Sequence, residues 1–146
     1  MGLGRTTRFA PLPKGARRVS VMRTGTAGLK VLAPSTRLLA AFQAEKRALI
    51  RGGLDPQTAH ARAAERLDYR RRYLAEVRGR PAALAALGRL TVEARTGAVY
   101  LMCMCPYRTR ARACHTYLLL DLARELDPSV ALLPEPAPRA RRGGPG

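Results

Sequence analysis

The clearest signal along the chain is apolar residues recurring at helical spacing. Leu38, Leu39, Phe42, Leu49 and Ile50 fall on such a spacing and predict a helix that opens after Ser35 and closes at Gly52-Gly53. Ser35 follows Pro34 and offers a hydroxyl oxygen to an orphan N–H of the first turn. Asp55-Pro56 marks a second start, with Asp as cap and Pro in the first helical position. The apolar side of that helix reads Ala59, Ala63 and Leu67, then Leu74 and Val77. Gly79 and Pro81 interrupt the chain, and Ala83, Leu87, Leu90 and Ala94 give a third helix one apolar face. A fourth is expected from about Cys114 to Leu126, with Leu118, Leu119, Leu122, Ala123 and Leu126 inward, stopped by Asp127-Pro128.

Between these helices lie short runs of another kind. Val19-Ser20-Val21-Met22 is a β-branched run that predicts a first strand, followed by a Gly-rich turn at Arg23-Thr24-Gly25-Thr26-Ala27-Gly28. That turn lacks the Gly-x4-Gly-Lys spacing of a phosphate-binding P-loop. Ala98-Val99-Tyr100-Leu101-Met102-Cys103-Met104 is apolar at successive positions, as a strand buried on both faces must be. Residues 130–133 are a candidate last strand. Strands alternating with helices give an α/β fold, a single domain with a small, mostly parallel sheet flanked by helices. The domain is expected over residues 18–133. Residues 1–17 are read as a disordered basic segment, and residues 134–146 as a disordered Pro/Gly/Arg tail.

Charge adds a second element. The 146 residues hold 27 Lys and Arg against ten Asp and Glu, a formal net charge of +17. Such a surface draws anions and nucleic acid by its long-range field. Only Lys14, Lys30 and Lys46 are lysines, and the arginines are spread along the whole chain, which reads equally as compositional bias. Arg62, Arg66 and Arg70 repeat at i, i+4 and i+8 and so form a stripe on one helix face, with Tyr69 and Tyr73 nearby as stacking groups for nucleic acid; an ordinary solvated face is the plainer reading. His60 is read as an isolated surface residue. No segment approaches the length of an apolar membrane span, so no membrane partner is expected. Three cysteines, an odd number without a secretion signal, point to a reducing, cytoplasmic compartment.

Chemistry concentrates at Cys103-Met104-Cys105 and Cys114-His115. Residues i and i+2 of an extended chain point the same way, and Pro106 holds Cys105 extended, so Cys103 and Cys105 are expected to face together. Cys114 and His115 lie at the start of the last helix, where the partial positive charge favours a thiolate. Arg108, Arg110 and Arg112 in the intervening loop, with Arg23, are candidate anion-binding groups. Three readings stay open. Cys103 or Cys114 is a nucleophile with His115 as proton acceptor or donor, needing no cofactor. Alternatively, Cys103, Cys105, Cys114 and His115 hold a structural zinc ion, right in ligand type but unusual in spacing. Or the cysteines are small buried hydrophobes and the histidine a structural hydrogen-bonding group.

Taken in order, Leu32-Ala33-Pro34-Ser35-Thr36-Arg37-Leu38-Leu39-Ala40-Ala41-Phe42, Tyr69-Arg70-Arg71-Arg72-Tyr73-Leu74-Ala75-Glu76, Ala83-Leu84-Ala85-Ala86-Leu87, Gly97-Ala98-Val99-Tyr100-Leu101-Met102-Cys103 and Cys114-His115 resemble the family called domain of unknown function 488 (DUF488). The resemblance spans residues 19–126; the first segment is most similar to the family's YeaO-like branch, and the Cys and Cys-His pair to other members. It implies a compact, bacterial-type cytoplasmic α/β protein, and no particular reaction. Members carry a Cys at a strand end and Cys-His-Arg at the next helix start. Cys103, Cys114 and His115 match these, while Thr116 stands in place of the arginine. The Trp-Pro-Arg-Gly-like segment of the YeaO-like branch is replaced by Arg23 and the Gly-rich turn, and residues 43–67 are extra helical sequence.

Overall fold

The computed structural model describes residues 1–25, 28–103 and 114–136. Three parallel strands form one sheet in the order β1-β3-β2: β1 (Gly2–Thr7), β2 (Arg17–Ser20) and β3 (Ala98–Cys103). The apolar run ending at Cys103 is the central strand. It pairs along its whole length with β1, from Gly2 opposite Ala98 to Thr7 opposite Cys103, and with β2 from Arg17 opposite Val99 to Ser20 opposite Met102. All three strands therefore end at the same edge of the sheet, and Cys103 is the last residue of the middle one.

The described residues form five α-helices, four of which begin at the expected starts. α1 (Thr36–Arg51) is capped by the Ser35 hydroxyl, which accepts from the Leu38 N–H at 3.1 Å. α2 (Pro56–Arg66) is capped by Asp55, which accepts from the Thr58 N–H at 3.0 Å. α3 (Tyr69–Arg78), α4 (Pro81–Glu93) and α5 (His115–Leu126) complete the set. α4 and α5 pack against β1, α5 also touches β3, and α3 packs on both of them. The shared core joins Val19, Val99 and Leu101 of the sheet to Leu87 and Leu90 of α4 and to Leu118, Leu119 and Leu122 of α5. Leu126, expected inward, is instead half exposed at the helix end. The fold is a single α/β domain, as the alternation of strands and helices predicts.

Three local expectations change. The segment 1–17, read as a disordered tail, contributes an edge strand: Leu3 is fully buried and Arg5 is 1% exposed. Its Gly-Leu-Gly-Arg-Thr-Thr sequence has no alternation to announce it, and its order comes from pairing with β3. Gly4 packs closely there, since a Cβ would stand 3.0 Å from the Tyr100 ring and the ring would have to give way. Second, the helix expected from Pro56 to Val77 is two helices. Leu67 closes α2, and Asp68 takes a left-handed conformation with φ 49°, turning the chain before α3. Third, residues 130–133 make one parallel bridge, Leu132 to Leu3, rather than a strand. The Leu3 N–H donates to Ala131 O at 2.8 Å and the Leu133 N–H to Leu3 O at 2.9 Å, so this segment covers the outer edge of β1. Of the residues read as a C-terminal tail, 134–136 are described: Glu135 reaches back to Arg5 and Tyr117, and residues 137–146 lie outside the described residues.

Candidate functional site

The carboxyl edge of a parallel sheet is where strands stop and helices begin, leaving a crevice for ligands. Here that edge gathers the end of β3, the start of α5 and the segment after β2. Val21 continues from β2 with its N–H donated to Met102 O at 3.2 Å, so its own carbonyl projects past the sheet edge. His115, the first residue of α5, meets that carbonyl: Nε2 lies 2.8 Å from Val21 O. A carbonyl only accepts, so Nε2 carries the hydrogen and, in the neutral ring, Nδ1 is left with its lone pair.

That lone pair faces sulfur. Nδ1 is 3.8 Å from Cys103 Sγ and 3.9 Å from Cys114 Sγ, and all three atoms lie within 4.8 Å of one another. Cys114 is the N-cap residue of α5 and is buried, whereas Cys103 is half-buried. The Thr116 hydroxyl donates to Cys114 Sγ at 3.2 Å. Thr116 in turn accepts from Arg5 Nε at 3.0 Å, so its proton is directed to the sulfur. Arg5 also donates to the Tyr117 hydroxyl at 3.4 Å and pairs with Glu135 at 3.4 Å, with its guanidinium 4.6 Å from the Tyr117 ring centre. Burial, then the Tyr117–Glu135 hydrogen bond, push the Tyr117 phenol up to about 12.

The triad opens into a cavity of about 300 Å³, lined on one side by Met22, Arg23 and Thr24 and on the other by the α1 stripe Leu39, Phe42, Gln43 and Lys46. Pro34, His60 and Tyr69 complete the wall. The loop carrying Pro34 is fixed by charge. Arg80 Nη1 donates to Val31 O and Ala33 O at 3.1 and 2.8 Å, and Glu76 accepts from the Ser35 N–H at 2.8 Å and from its hydroxyl. Arg23 donates from Nε to Pro34 O at 3.0 Å and from Nη2 to Ala33 O at 3.3 Å. Behind the wall, Tyr73 stands 5.6 Å from the His115 ring, edge to face, and donates to Leu32 O at 2.5 Å. Burial holds the Tyr73 phenol well above its ordinary value.

The structure therefore brings together Cys103, Cys114, His115 and Arg23. Cys105, Arg108, Arg110 and Arg112 lie outside the described residues. The stripe expected across Arg62, Arg66 and Arg70 does not lie on one helix, because the Asp68 turn separates α2 from α3. Arg66 pairs with Glu45 at 2.8 Å and Arg70 with Asp121 at 2.9 Å. Tyr69 and Tyr73, the stacking candidates, are 5% and 0% exposed, inside the core. His60, read as a surface residue, is 6% exposed and packs edge-on against Phe42, ring centres 4.8 Å apart. Burial, with Lys46 nearby, holds its pKa below the ordinary value. Its spacing of three and seven residues from Ala63 and Leu67 was the available signal that it shares their apolar face. Lys46, seven residues from Leu39 and four from Phe42, carries the same signal on α1.

Residues 6–127 match the family model described as DUF488-N3a, the active DUF488-N3 subclade. The chain belongs to the DUF488 family. The matched segment runs from the last residues of β1 through all of α5, so Cys103, Cys114 and His115 lie within it. No curated protein and no solved structure matches the chain. Among the described residues, no helix is long and apolar enough to cross a membrane.

Proposed function

We propose that Cys103, Cys114 and His115 form a reactive-thiol centre that acts on a small anionic ligand held in the adjoining cavity, within a reducing compartment such as the cytoplasm. The observation that carries this reading is the commitment of His115 Nε2 to the Val21 carbonyl, which turns Nδ1 toward both sulfurs. An imidazole so fixed accepts a thiol proton without reorienting. The thiolate then attacks an electrophilic centre of the ligand. One sulfur–ligand bond forms, the bond to the leaving group breaks, and the proton on Nδ1 passes to that leaving group. The helix N-terminus and the Thr116 hydroxyl favour the negative charge on Cys114. The description of the matched subclade as active supports a chemical role for DUF488 proteins of this kind.

A second reading has its own observation. Two ligand atoms on a tetrahedral zinc ion, one sulfur and one nitrogen, stand about 3.6 Å apart, close to the separations here. The hydrogen bond from His115 Nε2 to a backbone carbonyl is also how metal-bound histidines are oriented. Native mass spectrometry with peptide-resolved thiol labelling separates the two. A metal-free protein in which Cys103 or Cys114 is alkylated rapidly, and loses that reactivity on substitution of His115, supports the thiol centre. A mass excess of one zinc ion, with both thiols protected until chelator is added, supports the metal site instead.

A further inference from the structure

The cavity beside the triad has a composition that specifies its occupant. Its described lining includes two cations, Arg23 and Lys46, and no carboxylate. Elsewhere the chain cancels arginines against acidic side chains, as in Arg66–Glu45, Arg70–Asp121 and Arg78–Glu125. Arg23 is treated differently. Its two hydrogen bonds go to the neutral carbonyls of Ala33 and Pro34, which fix the guanidinium at the rim and leave its charge in place. Lys46 projects into the same space from α1, and its charge is felt by His60. Two cations over low-dielectric walls focus a positive potential into the cavity.

The walls themselves are flat and apolar. Phe42 stands edge-on to His60 and tilted against Tyr69, at 4.8 and 5.3 Å between ring centres. Leu39, Pro34 and the flexible Met22 fill between these rings. A volume of about 300 Å³ is at the lower end for small-molecule sites, enough for one ring and its substituents.

We propose that this cavity binds a small aromatic anion, its ring against Phe42 and Tyr69 and its carboxylate or phosphate drawn by Arg23 and Lys46. The inference rests on the reactive-thiol reading only in that the end of the ligand facing Cys103 and Cys114 is the reacting one. His60, whose pKa burial holds below its ordinary value, lines the same wall beside Phe42.

The test measures binding of phenyl phosphate, benzoate, benzamide and inorganic phosphate to the full chain by ligand-observed NMR and calorimetry, in physiological salt so that the general surface charge is screened. Phenyl phosphate or benzoate is expected to saturate at one per chain and to slow alkylation of Cys103 and Cys114. Benzamide and inorganic phosphate should bind at least about tenfold more weakly. Whichever of phenyl phosphate and benzoate binds more tightly identifies the charged group. Arg23→Gln and Lys46→Gln should each weaken the aromatic anion by about tenfold, and Arg89→Gln, an exposed cation of α4 outside the cavity lining, should not. Phe42→Leu should also weaken it, provided that circular dichroism shows the variant folded. Inorganic phosphate binding as well as phenyl phosphate, benzamide binding as well as benzoate, or no saturable binding at millimolar concentration overturns the proposal. Saturable binding with inert thiols leaves it standing and removes the thiol reading; a fast thiol that no aromatic anion protects does the reverse.

Discussion

In the proposed thiol centre the two nitrogens of His115 have separate duties, and two amide substitutions separate them. In His115→Asn the side-chain nitrogen stands near the place of Nδ1, and nothing reaches the Val21 carbonyl 2.8 Å from Nε2. In His115→Gln the longer amide reaches that carbonyl, and no basic nitrogen remains beside the sulfurs at 3.8 and 3.9 Å. A buried carbonyl that loses its donor costs about 1–3 kcal/mol. For a chain of this size that is a fall in melting temperature of roughly 3–10 °C in His115→Asn. His115→Gln keeps the hydrogen bond and should stay within about 1 kcal/mol of the parent. The chemical effect falls the other way. Without an adjacent base a cysteine is only a few per cent thiolate at pH 7, so His115→Gln should lower the alkylation rate of the fast thiol by at least about tenfold. Thermal unfolding by circular dichroism and iodoacetamide labelling with peptide mass spectrometry read the two effects independently. A His115→Gln protein that labels at the parental rate would refute Nδ1 as the base. A His115→Asn protein of parental stability would refute Val21 as the anchor of the ring.

Three further outcomes follow from the same structure. Tyr73→Phe keeps the ring beside His115 and removes the donor to Leu32 O, so urea denaturation should show a loss of about 1–2 kcal/mol with thiol labelling unchanged; an unaltered midpoint counts against that bond. Arg5→Met leaves Thr116, Tyr117 and Glu135 without their shared donor and should destabilise by about 3 kcal/mol in the same assay, whereas a neutral effect would mean that β1 is not integral to the fold. His60 is held below its ordinary value of 6.5, first by burial, so the folded state resists a proton that the unfolded chain accepts. Stability is then complete above that value and falls as pH drops below it. His60→Phe should flatten this dependence between pH 7 and 5, and an identical pH profile in parent and variant would sink the assignment.

Much of the fold was legible where local chemistry and pattern agree. Ser35 and Asp55-Pro56 set helix starts because their side chains satisfy N–H groups that the helix itself cannot. β3 was legible as a continuous apolar run because a central parallel strand is covered on both faces. β1 was not, since two glycines and Arg5 leave it without a strand-like run despite its two threonines, and it is ordered by β3 and by the 131–133 segment. The α2–α3 break was hidden because Leu67-Asp68 holds neither Gly nor Pro, and the apolar spacing runs on across it. Its turn rests on Asp68 in the left-handed region, which Asp tolerates better than most residues. At the site, a strand end followed by a helix start at a parallel sheet edge was enough to expect Cys103 near Cys114 and His115. The cavity depends on α1 and α2, and His60 and Lys46 enter it from positions far off in sequence, so no local motif announced them.

The rate at which each thiol reacts in the folded chain, compared with the same thiol in urea at pH 7 and with chelator present in both, tests the thiol centre most directly. The proposed thiol centre predicts that Cys103 or Cys114 reacts at least about tenfold faster folded than unfolded, despite its burial. Both thiols reacting more slowly in the folded protein than in the unfolded chain would contradict it.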